Sequence, residues 1–362
     1  MTHPLRTVVV GLNHYHVTGW VESLAAFESE LEIIARFDPD PARAALSQPD
    51  FSDPNLPQGF PDWFASVPFY SDLEEMIAAT SPELALVTLP NVDVPDAATL
   101  LSTSGTHLLI DKPGGADAQS AARAVAAARN AGVRMAIAFT RRHGHPWQQA
   151  ARQIAAGRLG RILTVESVFT TSSVDVRDAR NLIFRRDLMG GGILSWLGVH
   201  DIDLIHWLTG EEIALVQAMS QTRSTAGIDV EDAISIAFRL SGGALGTMHF
   251  AYALPRSGGD GYIALRGTNA SVRIDATGDT VWTGPGSPGD PLLTERSSTE
   301  SIRLPGYGSA GHQIIADLLQ SIRENRDPVA TGDHAVAALR VIDAAYASAS
   351  SGQRVAIGSM PS

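Results

Sequence analysis

Along the first third of the chain, apolar positions come in short continuous runs separated by stretches of helical period. The runs are Thr7–Gly11, Glu32–Phe37, Leu84–Leu89, His107–Ile110 and Arg134–Phe139. Each is apolar nearly throughout, as strands buried on both faces are, whereas a half-exposed strand alternates. Between them the pattern predicts helices over Ser71–Ala79 and over the alanine-rich Ala116–Asn130, which stops at Gly132. Strand–helix alternation at this spacing predicts a doubly wound parallel sheet.

Beyond that the period changes. Ile234–Leu240 alternates every second residue, as does part of Leu245–Tyr252, with the turn signal Ser241-Gly-Gly243 between them. Ile162–Thr171, Ile213–Thr222, Tyr262–Gly267 and Ala270–Asp275 are further strand candidates. Strand after strand predicts an antiparallel sheet with one face packed on helices. Thr283–Ser301, rich in Gly, Pro and Ser, reads as a loop, and helices return over Gln313–Glu324 and His334–Ser350. The pattern predicts an α/β nucleotide domain over residues 1–125 and an α+β domain over 126–362.

Composition narrows the chemistry. The 362 residues carry 39 acidic and 27 basic side chains, a net charge of −12. That balance argues against broad electrostatic binding to nucleic acid or an anionic membrane, though not against a small anionic substrate held by local arginines. With no cysteine, disulfides, thiolate nucleophiles and cysteine-ligated metals are excluded. The N-terminal residues lead into Thr7–Gly11 with no signal-peptide pattern, and no apolar run approaches the roughly 18 residues of a membrane helix. The expectation is a soluble, cytoplasmic protein with no membrane partner. Twenty-six of the basic residues are arginine and one, Lys112, is lysine. GC-rich codon usage accounts for that bias, but only the ammonium readily gives up a proton.

Val8–His16 stands where a dinucleotide fold carries G-x-G-x-x-G. Gly11 is the first glycine; Asn13 and His16 occupy the second and third positions. Asn tolerates the left-handed region better than most residues, so Asn13 is expected to keep the turn. The following helix N-terminus is expected to offer N–H groups and its dipole to pyrophosphate. Asp38 ends the second strand, where a carboxylate accepts from both ribose hydroxyls and disfavours a 2′-phosphate. NAD is therefore expected, with NADP kept open by Arg36 and Arg43 nearby. His14 and His16 either supply two imidazoles to a metal ion or line the cofactor turn and cap the helix; the reading adopted is no metal.

Asp111-Lys-Pro113 follows the strand His107–Ile110 directly. A lysine at the carboxyl end of a parallel strand is well placed to meet a substrate hydroxyl, and desolvation lowers its pKa so that it can relay a proton. The alternative is an ordinary surface lysine. Downstream, Gly190-Gly-Gly192 opens a helix ending at Gly210, on which Trp196, His200 and Asp203 fall at i, i+4 and i+7 and share a face. His206 and Trp207 read as packing residues.

Taken together, these residues resemble the Gfo/Idh/MocA family, named for glucose–fructose oxidoreductase, inositol dehydrogenase and rhizopine catabolism. Asp111-Lys-Pro corresponds to its E-K-P motif, Pro90-Asn91 to its T-P-N loop, and Gly190–Asp203 to its G-G-G-x-x-x-D-x-G-x-H-x-x-D helix. Val230-Glu-Asp232 and the tail Val341–Ala349 are similar to family segments too. The resemblance implies an N-terminal Rossmann domain, and a C-terminal α/β domain with a large open, mostly antiparallel sheet that commonly mediates homodimers or homotetramers. It also implies NAD(P)-dependent oxidation or reduction at a secondary alcohol of a sugar, polyol or related carbohydrate. Lys112 would act near the reacting hydroxyl, and His200 would bind substrate or share the proton work. Gly11, Asn13, His14, His16, Asp38, Leu89, Pro90, Asn91, Asp111 and Lys112 would hold the cofactor. Trp196, Asp203, Arg142 and Arg186 would meet the substrate.

Departures are specific. Trp196 stands in place of the family's helix aspartate, and Val94 in place of the histidine of P-N-x-x-H. Trp196 either offers a flat face to a sugar ring or blocks the site, and Asp203 compensates from a turn away. Three alternatives accompany the dehydrogenase reading: a non-catalytic ligand sensor or regulatory protein of the same fold; an NAD-using glycosidase or epimerase with transient oxidation; and a metal-dependent hydrolase built from His14, His16, His143, His145 and His200.

Overall fold

The structure, a computed structural model, describes residues 3–14, 16–45, 59–177, 179–256, 258–284, 293–297 and 306–358, with backbone alone for 293–297. Six parallel strands come from the first part of the chain: β1 (Leu5–Val10), β2 (Leu31–Phe37), β3 (Phe69–Tyr70), β4 (Leu84–Val87), β5 (His107–Ile110) and β6 (Met135–Ile137). Their order is β3-β2-β1-β4-β5-β6, the Rossmann arrangement, which reverses direction between β1 and β4 and leaves a crevice at the carboxyl ends of those strands. Helices α1 (His16–Ala25), α2 (Leu73–Thr80), α3 (Val94–Thr103) and α4 (Ala118–Ala131) connect them. β4 is buried at every position and β1 at all but one, which is why their sequences read as unbroken apolar runs.

Helix α4 starts where the Asp117 carboxylate accepts from the Ser120 N–H and stops at Gly132, whose φ is +69°. The stop at Gly132 is the one its sequence predicts, and the Asp117 cap satisfies an otherwise unpaired N–H of the first turn. The core of this unit joins Val9, Trp20, Leu24, Phe64, Leu86 and Leu109 to Ile314, Ile315, Leu318 and Leu319 from the late helix Gly308–Glu324. Burying each leucine or isoleucine contributes about 1.5–3 kcal/mol, so that helix belongs to the nucleotide unit by energetics.

The chain divides into two compact units, one of 1–143, 187–190 and 302–336, the other of 144–186, 191–301 and 337–362. This differs from a single boundary near residue 125, because β6 completes the parallel sheet and the late helix covers it.

The second unit holds β7 (Ile162–Ser172), β8 (Ile213–Gln221), β9 (Ala233–Leu240), β10 (Leu245–Leu254), β11 (Gly259–Gly267), β12 (Ser271–Asp275), β13 (Thr280–Gly284), β14 (Leu293–Ser297) and β15 (Val355–Ala356). They form one nine-stranded sheet in the order β14-β13-β12-β11-β7-β10-β9-β8-β15, antiparallel except for the β7–β10 pair. Along β9 buried and exposed positions alternate after Ala233, the mark of a sheet covered on one face. Helix α5 (His145–Ala155), helix α7 (Val199–Thr209) and most of Gly332–Ser351 belong to this unit, whereas α6 (Arg186–Met189) falls almost wholly in the first. Part of the segment read as the loop Thr283–Ser301 is strand β14; residues 285–292 and 298–301 lie outside the described residues. No helix among the described residues is long and apolar enough to cross a membrane.

Candidate active site

In the first unit the chain leaves β1 and turns at Gly11 with φ +97°. A Cβ there would stand 2.7 Å from the Leu89 nitrogen and 2.7 Å from the Thr88 carbonyl carbon, so both the turn and the approach of β4 demand glycine. Asn13 does not carry the turn as expected. Among the described residues only Ser81 and Asn325 are non-glycine residues at positive φ, and within the described part of this turn Gly11 is the residue that adopts it. The Asp38 carboxylate closes the turn from β2. Its Oδ2 accepts the Leu12 N–H at 2.7 Å and its Oδ1 the Asp40 N–H at 3.0 Å. Burial pushes this carboxyl up against the lowering effect of those two bonds. Each oxygen retains a lone pair for a ribose hydroxyl.

At the start of α1 the His16 N–H donates to His14 Nδ1 at 3.2 Å and the Val17 N–H to the His14 carbonyl at 2.9 Å. Two amides expected to face pyrophosphate are thus satisfied within the turn, leaving the helix dipole to attract an anion. Gly11 and Asp38, at the β1 and β2 ends of a Rossmann sheet, still fit a dinucleotide.

The side chains of this turn converge on Asp111. Its Oδ2 lies 2.8 Å from His16 Nδ1, and its Oδ1 accepts the Trp20 Nε1–H at 3.1 Å. His14 Nε2 stands 4.0 Å from the same Oδ2. Burial alone would raise the Asp111 carboxyl. The charge and hydrogen bond of His16, with smaller contributions from His14 and Lys112, instead hold it well below the usual carboxylate range. An ionised carboxylate only accepts, so His16 Nδ1 carries a proton. His14 is pushed down to about 3, by burial first and then by His16 and Lys112, with Asp111 opposing.

Lys112 follows at the end of β5, joined to Pro113 by a cis peptide, with 3 % of its surface exposed. Burial pushes its ammonium down to about 7, against the charge of Asp111 and with that of Arg141. A lysine in this state exchanges its proton near neutrality.

His14, His16 and Asp111 are the one group among the described residues whose ligand atoms, within 4.8 Å of one another, match a cation's needs. The hydrogen bond of His14 opposes that use. His14 Nδ1 accepts from the backbone, so Nε2 carries the proton, and in that tautomer the ring offers a cation no lone pair. His143 and His145 do not join this group.

Other expected residues take more local places. The Asn91 side chain donates to the Met189 carbonyl at 2.9 Å, beside the Leu89–Pro90 turn. Arg142 is buried, with Nη1 on the Val329 carbonyl at 3.1 Å.

In the second unit Trp196, His200 and Asp203 are all buried. Leu194–Gly198 winds as a π-helix before α7 begins, so the regular i, i+4 spacing from Trp196 to His200 is broken there. Such wider turns recur at functional sites. The segment starts on a grip centred on Glu231. Oε2 accepts the Gly192 N–H at 2.9 Å; Oε1 accepts the Leu194 N–H at 3.1 Å and the Tyr346 hydroxyl at 2.8 Å. Arg186 Nη2 stands 4.0 Å from Oε2, and the Arg186 N–H donates to Asp229 at 2.8 Å. Burial raises the Glu231 carboxyl against these bonds. Asp201 accepts from Ser167 on β7, and His206 Nε2 accepts the Ile213 N–H at 3.2 Å, the packing role its position suggests.

Residues 5–140 match the oxidoreductase family with an NAD-binding Rossmann fold, and residues 147–273 the GFO/IDH/MocA C-terminal domain. The chain belongs to the Gfo/Idh/MocA family. It is similar to the rhizopine catabolism protein MocA of Rhizobium meliloti, 26% identical over 76% of this chain and 78% of that one. It is also similar to a D-xylose 1-dehydrogenase (NADP(+)) of Haloferax volcanii, 23% identical over 79% and 84%. Among solved structures, levoglucosan dehydrogenase in complex with NADH and L-sorbose has the same fold, with TM-score 0.85, 18% identity and coverage of 99% and 100%. As a family member the protein is an NAD-binding oxidoreductase, with the parallel and mostly antiparallel sheets that the family implies.

Trp20, Tyr307 and Glu231 were not singled out as site residues. Trp20 lies four residues after His16, a spacing that places both on one face of α1. Tyr307, from a distant part of the chain, stacks on Trp20 at 4.4 Å and meets the His16 ring edge-on at 5.6 Å; no local pattern announces it.

Proposed function

We propose that the protein is an NAD-dependent dehydrogenase or reductase acting on a secondary alcohol or carbonyl of a sugar, polyol or related carbohydrate. The observation that carries this reading is Lys112, a buried lysine at the carboxyl end of β5 whose ammonium is lowered to about 7. Bound NAD supplies the hydride acceptor or donor. Lys112 takes the hydroxyl proton when the alcohol is oxidised and returns it when the carbonyl is reduced. Asp38 receives the ribose hydroxyls, the dipole of α1 favours the pyrophosphate, and Gly11 shapes the turn between them. His200 orients the substrate or shares the proton, with Trp196 and Asp203 shaping its surroundings. The names of the relatives support the substrate class: one acts on D-xylose, and another, inositol 2-dehydrogenase of Saccharopolyspora erythraea, on inositol.

The same reading includes a homodimer or homotetramer formed through the open sheet. In its support, the apolar Met219 on β8 is 77 % exposed and Leu245 on β10 57 %. Isolated apolar residues on a surface are ordinary, but two on the exposed face of one sheet, on the strands that flank β9, suit an interface. The same reading includes a cytoplasmic location, where soluble nicotinamide cofactor is available.

The test is to titrate the protein with NADH and NADPH by fluorescence, then to follow NADH formation at high pH with D-xylose, myo-inositol and levoglucosan. Binding of NADH together with turnover of at least one such alcohol supports the reading. Failure to bind either nucleotide contradicts it.

A further inference from the structure

A lysine that must gain and lose a proton is poorly served by a carboxylate closing on it, because an ion pair fixes the charged form. Asp111 is next to Lys112 in sequence and opposes the lowering of its proton affinity. The Asp111 carboxylate is directed to α1. Both Asp111 oxygens are held by that helix, Oδ2 by His16 at 2.8 Å and Oδ1 by the Trp20 indole at 3.1 Å.

The two donors are themselves braced. Tyr307 stacks on the Trp20 ring and abuts the His16 ring, and its own N–H donates to Ser23 Oγ at 3.0 Å. The His16 N–H donates to His14, which fixes the imidazole at the first turn of the helix. We propose that His16 is a positioning residue for Lys112 acting through Asp111: by tethering that carboxylate to α1, it keeps it from pairing with the ammonium.

The inference deepens the proposed function and rests on Lys112 as the proton-exchanging group. It gives position 16, where a dinucleotide motif has glycine, a task other than approach to the cofactor. Burial is the largest influence on Lys112; among the described charged groups Asp111 favours the ammonium and Arg141 opposes it, and His14 in turn feels the charge of Lys112.

Because Lys112 is the only lysine in the sequence, protein grown on lysine enriched with carbon-13 at Cε gives one side-chain resonance for it. Its chemical shift, followed against pH, reads the titration directly without a substrate. The wild-type resonance is expected to titrate near 7. In His16→Ala the released carboxylate moves the midpoint up by about one pH unit. His16→Gln, which restores an N–H donor without the ring, returns it most of the way. Asp111→Asn moves it down. A His16→Ala midpoint equal to or below the wild-type value overturns the inference, as does a His16→Gln midpoint no closer to wild type than that of His16→Ala. Circular dichroism and thermal melting of each variant establish that it is folded. Turnover of Lys112→Arg, measured separately, tests the catalytic assignment. An inert Lys112→Arg together with an unmoved His16→Ala midpoint contradicts this inference alone; an active Lys112→Arg contradicts the proposed function.

Discussion

Tyr346 places its hydroxyl 2.8 Å from Oε1 of Glu231 and so joins the helix Gly332–Ser351 to the carboxylate that grips the start of the Trp196–His200 segment. Removing the hydroxyl leaves a buried carboxylate short of one donor, a loss of about 1–3 kcal/mol. Tyr346→Phe is therefore expected to lower the urea midpoint by that amount at an unchanged m-value. Glu231→Ala is expected to cost more, because it strips the Gly192 and Leu194 amides of their acceptor. An equal midpoint for Tyr346→Phe and wild type would remove the grip from the account.

Gly192 is constrained by space. A Cβ there would come within 2.1 Å of the Glu231 carbonyl oxygen, and that atom is backbone. Gly192→Ala is expected to destabilise by roughly 1–3 kcal/mol, the range for overpacking, and to reduce turnover because the π-helical turn is displaced. Thermal melting with activity on the same sample checks both. A variant that melts like wild type would show that the segment yields.

For cofactor choice, Asp38 is the residue to change. Asp38→Asn keeps the shape but loses the charge that accepts ribose hydroxyls and repels a 2′-phosphate. The expected outcome is NADH binding weakened on the order of tenfold, about 1.4 kcal/mol, with a smaller preference over NADPH. Fluorescence titration with both nucleotides reads it, and an unchanged preference would take the ribose away from Asp38.

Stability should fall on mild acidification. His14 is pushed down to about 3 and His143 and His334 to about 4, in each case first by burial. An unfolded histidine titrates near 6.5. Below that pH the unfolded chain binds more protons than the folded one, so the free energy of unfolding drops as pH drops. The window runs from about 6.5 down toward 4, with a slope on the order of 1 kcal/mol per pH unit for each histidine. Urea midpoints at about pH 7 and about pH 5 test this, and His334→Gln should flatten the slope. A profile that stays flat in both wild type and His334→Gln would mean that these rings take up protons in the folded state over the same range as in the unfolded chain.

Much of the fold is legible in the sequence because burial leaves a local signature. The runs ending at Phe37, Leu89 and Ile110 are apolar nearly throughout, and each lies at a strand of the parallel sheet. Helix α5 escapes the pattern because it opens with Gly144-His-Pro146, which reads as a turn, although Pro at a helix start is compatible with α-structure. β14 is hidden by the Gly, Pro and Ser around it. The site divides in the same way. Lys112 is legible from its own tripeptide and its place after a strand. The partnership of His16 with Asp111 is not, because the two are 95 residues apart and meet only when β1 and β5 lie in one sheet. Asn13 departs from expectation for a related reason: the backbone reversal falls at Gly11, where Thr88 and Leu89, after β4, crowd the turn.

The central claim is that Lys112 exchanges the proton of the reacting hydroxyl, and Lys112→Arg tests it most directly. Arginine keeps the charge and much of the length but does not deprotonate at accessible pH. NADH binding within about twofold of wild type, with turnover reduced by at least about 100-fold on an alcohol the wild type oxidises, is the predicted result. Turnover near the wild-type rate would contradict the account.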